Sequence, residues 1–184
     1  MKNHFNKSDT ERNGYRLRGS LAKKGYDWWY HSFTGYSRKT GEAKSFFVEY
    51  FLCNPSFGCD VPVFGQLPEN KTAGIHPSYL MIKAGTWGND AVQLHRFYGW
   101  KDISVSAGAP YSVCADGCSA GETAITGGIS VSAADTSAHP EYMCGSGTMK
   151  WDLSVSKKIS FNVGYGAGRF FRKINAFEMY WHAE

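Results

Sequence analysis

The feature that most constrains this chain is a period-two alternation of apolar side chains, repeated in one short stretch after another. Over residues 46–52, Phe46, Val48, Tyr50 and Leu52 fall on one face of an extended segment, and Phe47, Glu49 and Phe51 fall on the other. Both faces are largely apolar, which predicts a central strand covered on two sides with Glu49 as an isolated acid among apolar neighbours. Further strands are expected over 79–83, 92–98, 103–107 and 111–115, the last two flanking a turn at Gly108-Ala109-Pro110. Residues 122–132 read as one strand with Gly127-Gly128 as a bulge or bend. Trp151, Leu153 and Val155 alternate with Asp152, Ser154 and Ser156, and Ile159, Phe161, Val163 and Tyr165 carry the pattern on. Lys157-Lys158 fits a turn or a mid-strand position, Gly164-x-Gly166-x-Gly168 fits a strand bend, and 177–182 fits a last strand. One helix has a start signal: Ser132 can cap 133–138, with Pro140 just past its end. Residues 54–75, with Pro55, Pro62 and Pro68, form a long loop or a lid over one end of the sheet. The fold class expected is all-β, an antiparallel barrel, sandwich or strongly curled sheet with one short helix.

Composition narrows the function classes. The chain of 184 residues is long enough for one domain, read as a polar tail over 1–13 and a single β module over 14–184. With 42% hydrophobic and 16% aromatic residues it is not a disordered chain. Its apolar runs fall well short of the roughly 18 residues of a transmembrane helix. Residues 1–20 are polar and lack the apolar core of a signal peptide, so a cytoplasmic location is expected. The net charge is +4, and the basic clusters Lys23-Lys24, Lys157-Lys158 and 169–173 are scattered, which argues against nucleic acid as a partner. The five cysteines include no CxxC pair, and Cys114 and Cys118 lack zinc-knuckle spacing. Buried free thiols are expected, and a Cys114–Cys118 disulfide has little to favour it.

The most unusual segment is Gly25-Tyr26-Asp27-Trp28-Trp29-Tyr30-His31. In a strand, Trp28 and Tyr30 point one way and Trp29 and His31 the other, so one set lines something besides the core that the other faces. Taken with Gly14-Tyr15-Arg16-Leu17-Arg18-Gly19-Ser20 and Cys53-Asn54-Pro55-Ser56-Phe57, this block resembles the opening of tocopherol cyclase-like proteins. Its Asp-Trp-Trp-Tyr form is also similar to the Glu-Trp-Trp-Tyr signature of carotenoid 1,2-hydratase-like proteins, and Trp151-Asp152-Leu153 and the stretch ending in Trp181-His182 fit the same lipocalin-like group. The resemblance implies a lipocalin-like barrel, the first of two such modules in tandem. It also implies an isoprenoid, carotenoid or polyketide-like substrate that is cyclised or hydrated.

Protonating an alkene needs a carboxylic acid kept neutral by burial, and the cation that forms needs aromatic faces. Asp27 and Glu49 are the acid candidates, with Glu178 third. Each has a structural alternative: a carboxylate bonded to backbone amides for Asp27, an acid paired with a neighbouring Lys or Arg for Glu49, a solvent-facing residue for Glu178. Trp28, Trp29, Tyr30, His31, Tyr50, Trp151 and Trp181 are the candidate ligand-binding residues, with Trp100 a further candidate wall. His31, His95 and His182 show no metal-ligand spacing, so neither metal nor cofactor is expected. Three functions remain open: an enzyme of isomerase or lyase type, a non-catalytic carrier of hydrophobic molecules, or a half-module that assembles with itself or with a second β module.

Overall fold

The computed structural model describes residues 13–19, 21–106 and 108–158, together with the backbone of 161–162 and 182–183. The chain is all-β. A first antiparallel sheet contains β1 (Tyr26–Tyr36), β2 (Ala43–Cys53), β3 (Tyr79–Thr86) and β4 (Gln93–Tyr98) in chain order. A second contains β5 (Ile103–Val105), β6 (Ser112–Ala115), β7 (Cys118–Gly121), β8 (Ala124–Val131) and β9 (Gly147–Ser154), again in chain order. A short bridge pairs β10 (Phe161–Asn162) with β11 (His182–Ala183). Helical turns are brief: α1 (Leu21–Lys24), α2 (Pro68–Thr72) and α3 (Ala133–Ala138). Of the expected strand over 177–182 only the backbone of His182 is described, in β11, and the bend at Gly164 to Gly168 lies outside the described residues.

Pairing does not run on from β4 to β5, so the two sheets do not form one closed wall among the described residues. The reason is local. At Gly99 a Cβ would lie 2.0 Å from the Asp60 carbonyl oxygen, and the next residue donates its backbone N–H to Cys59 at 2.8 Å. The 54–78 loop thus seizes the chain as β4 ends and turns it through a one-turn 3-10 helix, Trp100–Asp102, into the second sheet. The inner faces then pack together. Val48, Tyr50 and Leu52 of β2, with Leu80 and Ile82 of β3, share one core with Val113, Ala115, Cys118, Ala120, Ile125, Ile129 and Trp151 of the second sheet.

β2 is covered on both faces, as its pattern predicts: Val48, Tyr50 and Leu52 are buried inside, and Phe47 is equally buried outside. The outer cover is aromatic. Phe47 lies against Tyr30 and Trp87, while Phe51 stacks on Tyr26. The long loop runs over this outer face, carries the unforeseen helix α2, and sets Phe64 against Tyr79, Phe97 and Tyr142. A chain of hydrogen bonds pins it: Trp100 Nε1 donates to Ser78 Oγ, Ser78 Oγ to the Asn54 carbonyl, and Asn54 Nδ2 to the Pro77 carbonyl.

Ser132 caps α3 as expected, accepting the Asp135 backbone N–H at 3.0 Å. β7 was not foreseen. Its signal is Asp116-Gly117, a two-residue hairpin turn in which both residues take positive φ, 48° and 74°. Gly127-Gly128 is no bulge, because the β8–β9 register runs unbroken from Thr126↔Asp152 to Ile129↔Met149. Gly127 is required for another reason: φ is 144°, and a Cβ would lie 2.7 Å from the Cys118 Cα. Lys157-Lys158 lies beyond the end of β9 in neither a turn nor a strand.

The Gly127 contact yields a test of the second sheet. Gly127→Ala should lower stability by about 2–4 kcal/mol, because strained backbone and an overpacked core add. Gly41→Ala, at an open turn with φ 74° and nothing near its Cβ, should cost only about 1 kcal/mol. Urea unfolding of the two variants makes the comparison, and equal midpoints would contradict the close approach.

Candidate functional site

Strand register sorts the candidate residues onto two faces. Asp27, Trp29 and His31 of β1 take the inner face with Tyr50 of β2, opposite Leu52, Tyr50 and Val48 as register partners. Trp151 of β9 enters the same core from the second sheet. Trp28, Tyr30 and Glu49 lie on the outer face, with Tyr30 directly opposite Glu49. The sheet therefore separates Asp27 from Glu49, and the two acids cannot serve one site. Trp28 and Tyr30 likewise cannot share a pocket with Trp29 and Trp151. Trp181 and Glu178 lie outside the described residues.

Asp27 sits where β1 begins. Its carboxylate accepts the backbone N–H of Arg16 at 2.9 Å and that of Trp28 at 3.0 Å. Burial raises its pKa above the ordinary carboxylate value, against the lowering effect of those two amides and the Arg16 charge. The group can thus hold a proton more readily than a surface aspartate, yet both its oxygens are already used to fix the entry of the strand.

Glu49 is paired with Lys83 at 2.9 Å, and both side chains are largely buried. They belong to a row that crosses the first sheet: Tyr30, Glu49, Lys83 and His95 are successive register partners. Lys83 also lies over the Phe47 ring, 5.6 Å from its centroid. His95 Nδ1 is 3.0 Å from the Tyr142 carbonyl. A carbonyl only accepts, so Nδ1 carries the proton and Nε2 is left as a bare, buried acceptor with no partner. Burial lowers the His95 pKa, the Tyr142 carbonyl opposes it, Lys83 reinforces it and Glu49 opposes it again.

Inside the core, most buried polar groups are satisfied. Trp29 stacks on Tyr111, with centroids 5.6 Å apart and planes 7° from parallel, and its Nε1 donates to the Asn13 carbonyl at 2.9 Å. Glu122 closes this end by accepting from Asn13 Nδ2 and from Lys157. The Cys118 thiol donates to the Gly128 carbonyl at 3.3 Å. Tyr50 and Trp151 differ. The Tyr50 hydroxyl and Trp151 Nε1 are buried with no hydrogen-bond partner of full geometry. The indole lies near enough to the phenol to ease its ionisation slightly, but burial dominates and drives the Tyr50 pKa far upward, with Cys118 adding to the rise. Tyr98, on the same inner face, is held protonated for the same reason. The period-two pattern of apolar residues places Tyr50 and Trp151 in the core but is silent on whether their polar ends find partners.

An open groove of about 390 Å³ lies elsewhere, at the end of β5–β7, bounded by Lys101, Asp102, Cys114, Asp116 and Ser119. It contains none of the residues singled out for a ligand. All five cysteines are free. Cys53 and Cys118 are buried, whereas Cys59, Cys114 and Cys144 are not, so the expectation of buried thiols holds for two. Burial pushes the Cys53 thiol up to about 11. Cys118 faces the core, while Cys114, one position from buried Val113 and Ala115, takes the other side, which explains the absent bridge. Among the described residues no three His, Cys, Asp or Glu side chains gather where they could hold a metal ion. Nor is any described helix long and apolar enough to cross a membrane.

Comparison with known proteins finds no counterpart: no family model matches the chain, and neither a curated protein nor a solved structure does.

Two measurements test this geometry. Tyr50→Phe removes an unpartnered hydroxyl from the core, so the ligand-free protein should keep or gain stability, by up to about 1–2 kcal/mol. A loss of similar size in urea would mean that the hydroxyl is bonded after all. For His95, the folded pKa lies below the ordinary 6.5, so the unfolded chain takes up the proton first as pH falls. Stability should therefore drop as pH is lowered through 6.5, and His95→Phe should flatten that part of the profile. An unchanged slope would show that His95 ionises freely in the fold.

Proposed function

We propose that this chain binds a long apolar small molecule of isoprenoid, carotenoid or polyketide type between its two sheets, in a lipocalin-like manner. The observation that carries the reading is the Tyr50–Trp151 pair: two polar ends, both buried, in a core whose other indoles are bonded. A buried polar group without a partner costs roughly 1–3 kcal/mol, so such a pair is expected where an outside group completes it. The aromatic faces of Trp29, Tyr98, Tyr111 and Trp151, set among the small inner residues Ala84, Ala115 and Ala120, suit a flat or chain-like apolar molecule. The resemblance of the Asp27-Trp28-Trp29-Tyr30 block to tocopherol cyclase-like and carotenoid 1,2-hydratase-like proteins points to the same ligand class.

A second reading, turnover of that ligand by acid-promoted cyclisation or hydration, is favoured by one observation, the raised pKa of Asp27 on the inner face. Glu49 has no part in it, since it faces the other way and is held by Lys83.

Titration with a prenylated quinol and with a carotenoid precursor should quench tryptophan emission saturably, and flat titrations across both would overturn the binding reading. If the ligand is turned over, Asp27→Asn should reduce the rate at least about tenfold, since general-acid catalysis contributes roughly 10²–10⁴-fold. Glu49→Gln should leave it within about twofold. Equal rates in wild type and Asp27→Asn would remove the acid and leave a carrier.

A further inference from the structure

The Tyr50–Trp151 pair also has a polarity, and it restricts what can complete it. An indole N–H can only donate, and a phenol offers one O–H and one accepting oxygen. If Trp151 Nε1 turns its N–H to the Tyr50 oxygen, the Tyr50 O–H is left over; if it does not, both hydrogens are left over. Between these two groups every arrangement therefore has at least one donor in excess. The neighbouring Cys118 thiol spends its hydrogen on the Gly128 carbonyl and offers only a weak sulfur acceptor, a poor match for a phenol O–H. The excess sits deep: Tyr50 is 0% exposed and Trp151 6%.

We infer that the interior site takes a neutral ligand through an acceptor oxygen, such as that of a ketone, ester, ether or quinone, placed against Tyr50 Oη and Trp151 Nε1. This inference rests on the binding reading above and deepens it by naming the group that docks. Burial holds the Tyr50 and Tyr98 phenols protonated, so the site keeps its donors over the physiological pH range. The inner-face charges nearest this core are already engaged, Asp27 with the Arg16 and Trp28 amides and Arg96 with the Tyr98 phenol, which leaves neither to take an ammonium or a carboxylate. A cationic amine would meet donors only, and an anion would lose its hydration without a counter-charge.

Four probes with one chain length separate the outcomes: 2-undecanone, undecane, undecylamine and undecanoate, each titrated into the whole protein at pH 7 by tryptophan quenching. The ketone should half-saturate at a concentration about tenfold below that of undecane, the factor expected for one buried hydrogen bond gained, and the two ions should bind more weakly than the ketone. Tyr50→Phe should bring the ketone to within about threefold of the alkane. In wild-type protein the carbonyl stretch of bound 2-undecanone should lie below its position in hexane, a readout that needs no variant to fold. Equal binding of ketone and alkane with an unshifted carbonyl band would overturn the acceptor inference while leaving an apolar site standing. Tightest binding by undecanoate or undecylamine would overturn it in favour of an ionic site. Binding by none of the four, with prenylated quinols and carotenoid precursors also silent, would sink this inference and the binding reading together.

Discussion

Double burial of β2 is the constraint from which the other features follow. Its inner side chains, Val48, Tyr50 and Leu52, meet the second sheet, and its outer side chain Phe47 is sealed under Tyr30 and Trp87. A strand sandwiched in this way cannot shift register by one residue, because Glu49 would then enter the core and Tyr50 would leave it. That fixed register is what aligns Tyr30, Glu49, Lys83 and His95 in a row outside and sets Tyr50 among the inner residues. The Glu49–Lys83 pair makes the outer placement tolerable. An unpaired carboxylate under an aromatic layer would cost several kcal/mol, and the pairing with an ammonium that also lies over Phe47 reduces that cost.

The chain satisfies buried polar groups with some thoroughness. Asn54, Ser78 and Trp100 form one connected chain, and Trp29 is tied to Asn13, which is tied in turn to Glu122. These networks lie where loops meet the sheets, and there backbone carbonyls are free to accept. Tyr50 lies mid-strand in β2, paired on both sides, so its neighbouring carbonyls are committed to the ladders, and Trp151 lies mid-strand in β9, paired along one side with β8. A donor in the middle of a sheet-on-sheet core has few intramolecular acceptors within reach, so its satisfaction depends on another side chain or on a molecule from outside.

Much of the fold is legible because period two is strict in the long strands. The alternation over 46–52 locates β2, its two-sided burial and the isolation of Glu49, and the split of Trp28 and Tyr30 from Trp29 and His31 follows from the same rule. Short elements escape it. β7 has four residues and shows no alternation of large apolar groups, since its inner residues are Cys118 and Ala120; only the Asp116-Gly117 turn betrays it. Helix α2 hides in a proline-rich loop, where Pro68 starts a single turn that periodicity cannot register. Which acids share a site is a matter of faces, and Asp27 and Glu49 differ in parity across paired strands. That much could be read once β1 and β2 are paired as Trp29↔Tyr50, but the pairing itself is a tertiary fact. His95 stands out in the sequence only as one of three histidines without metal-ligand spacing. Its bare Nε2 depends on a carbonyl from Tyr142, 47 positions away.

The distribution of charge between the two faces bears on chemistry as well as on recognition. Outside, the paired Glu49 and Lys83 and the neutral His95 sit close enough to influence one another's protonation, so a proton moved there is felt across the row. Inside, the core cluster is apolar, and its phenols resist ionisation because burial outweighs every favourable partner, the Arg96 charge beside Tyr98 included. A carbocation formed in such a place would meet aromatic faces and neutral donors, with Asp27 at the margin as the nearest inner-face carboxylate in the sequence of β1. Its two backbone amides favour the charged form, whereas burial favours the neutral one, so filling the interior with an apolar molecule would shift that balance further toward the protonated acid. Occupancy and proton affinity at Asp27 are in this sense linked: whatever excludes water from the inner face also makes its carboxyl a better proton store.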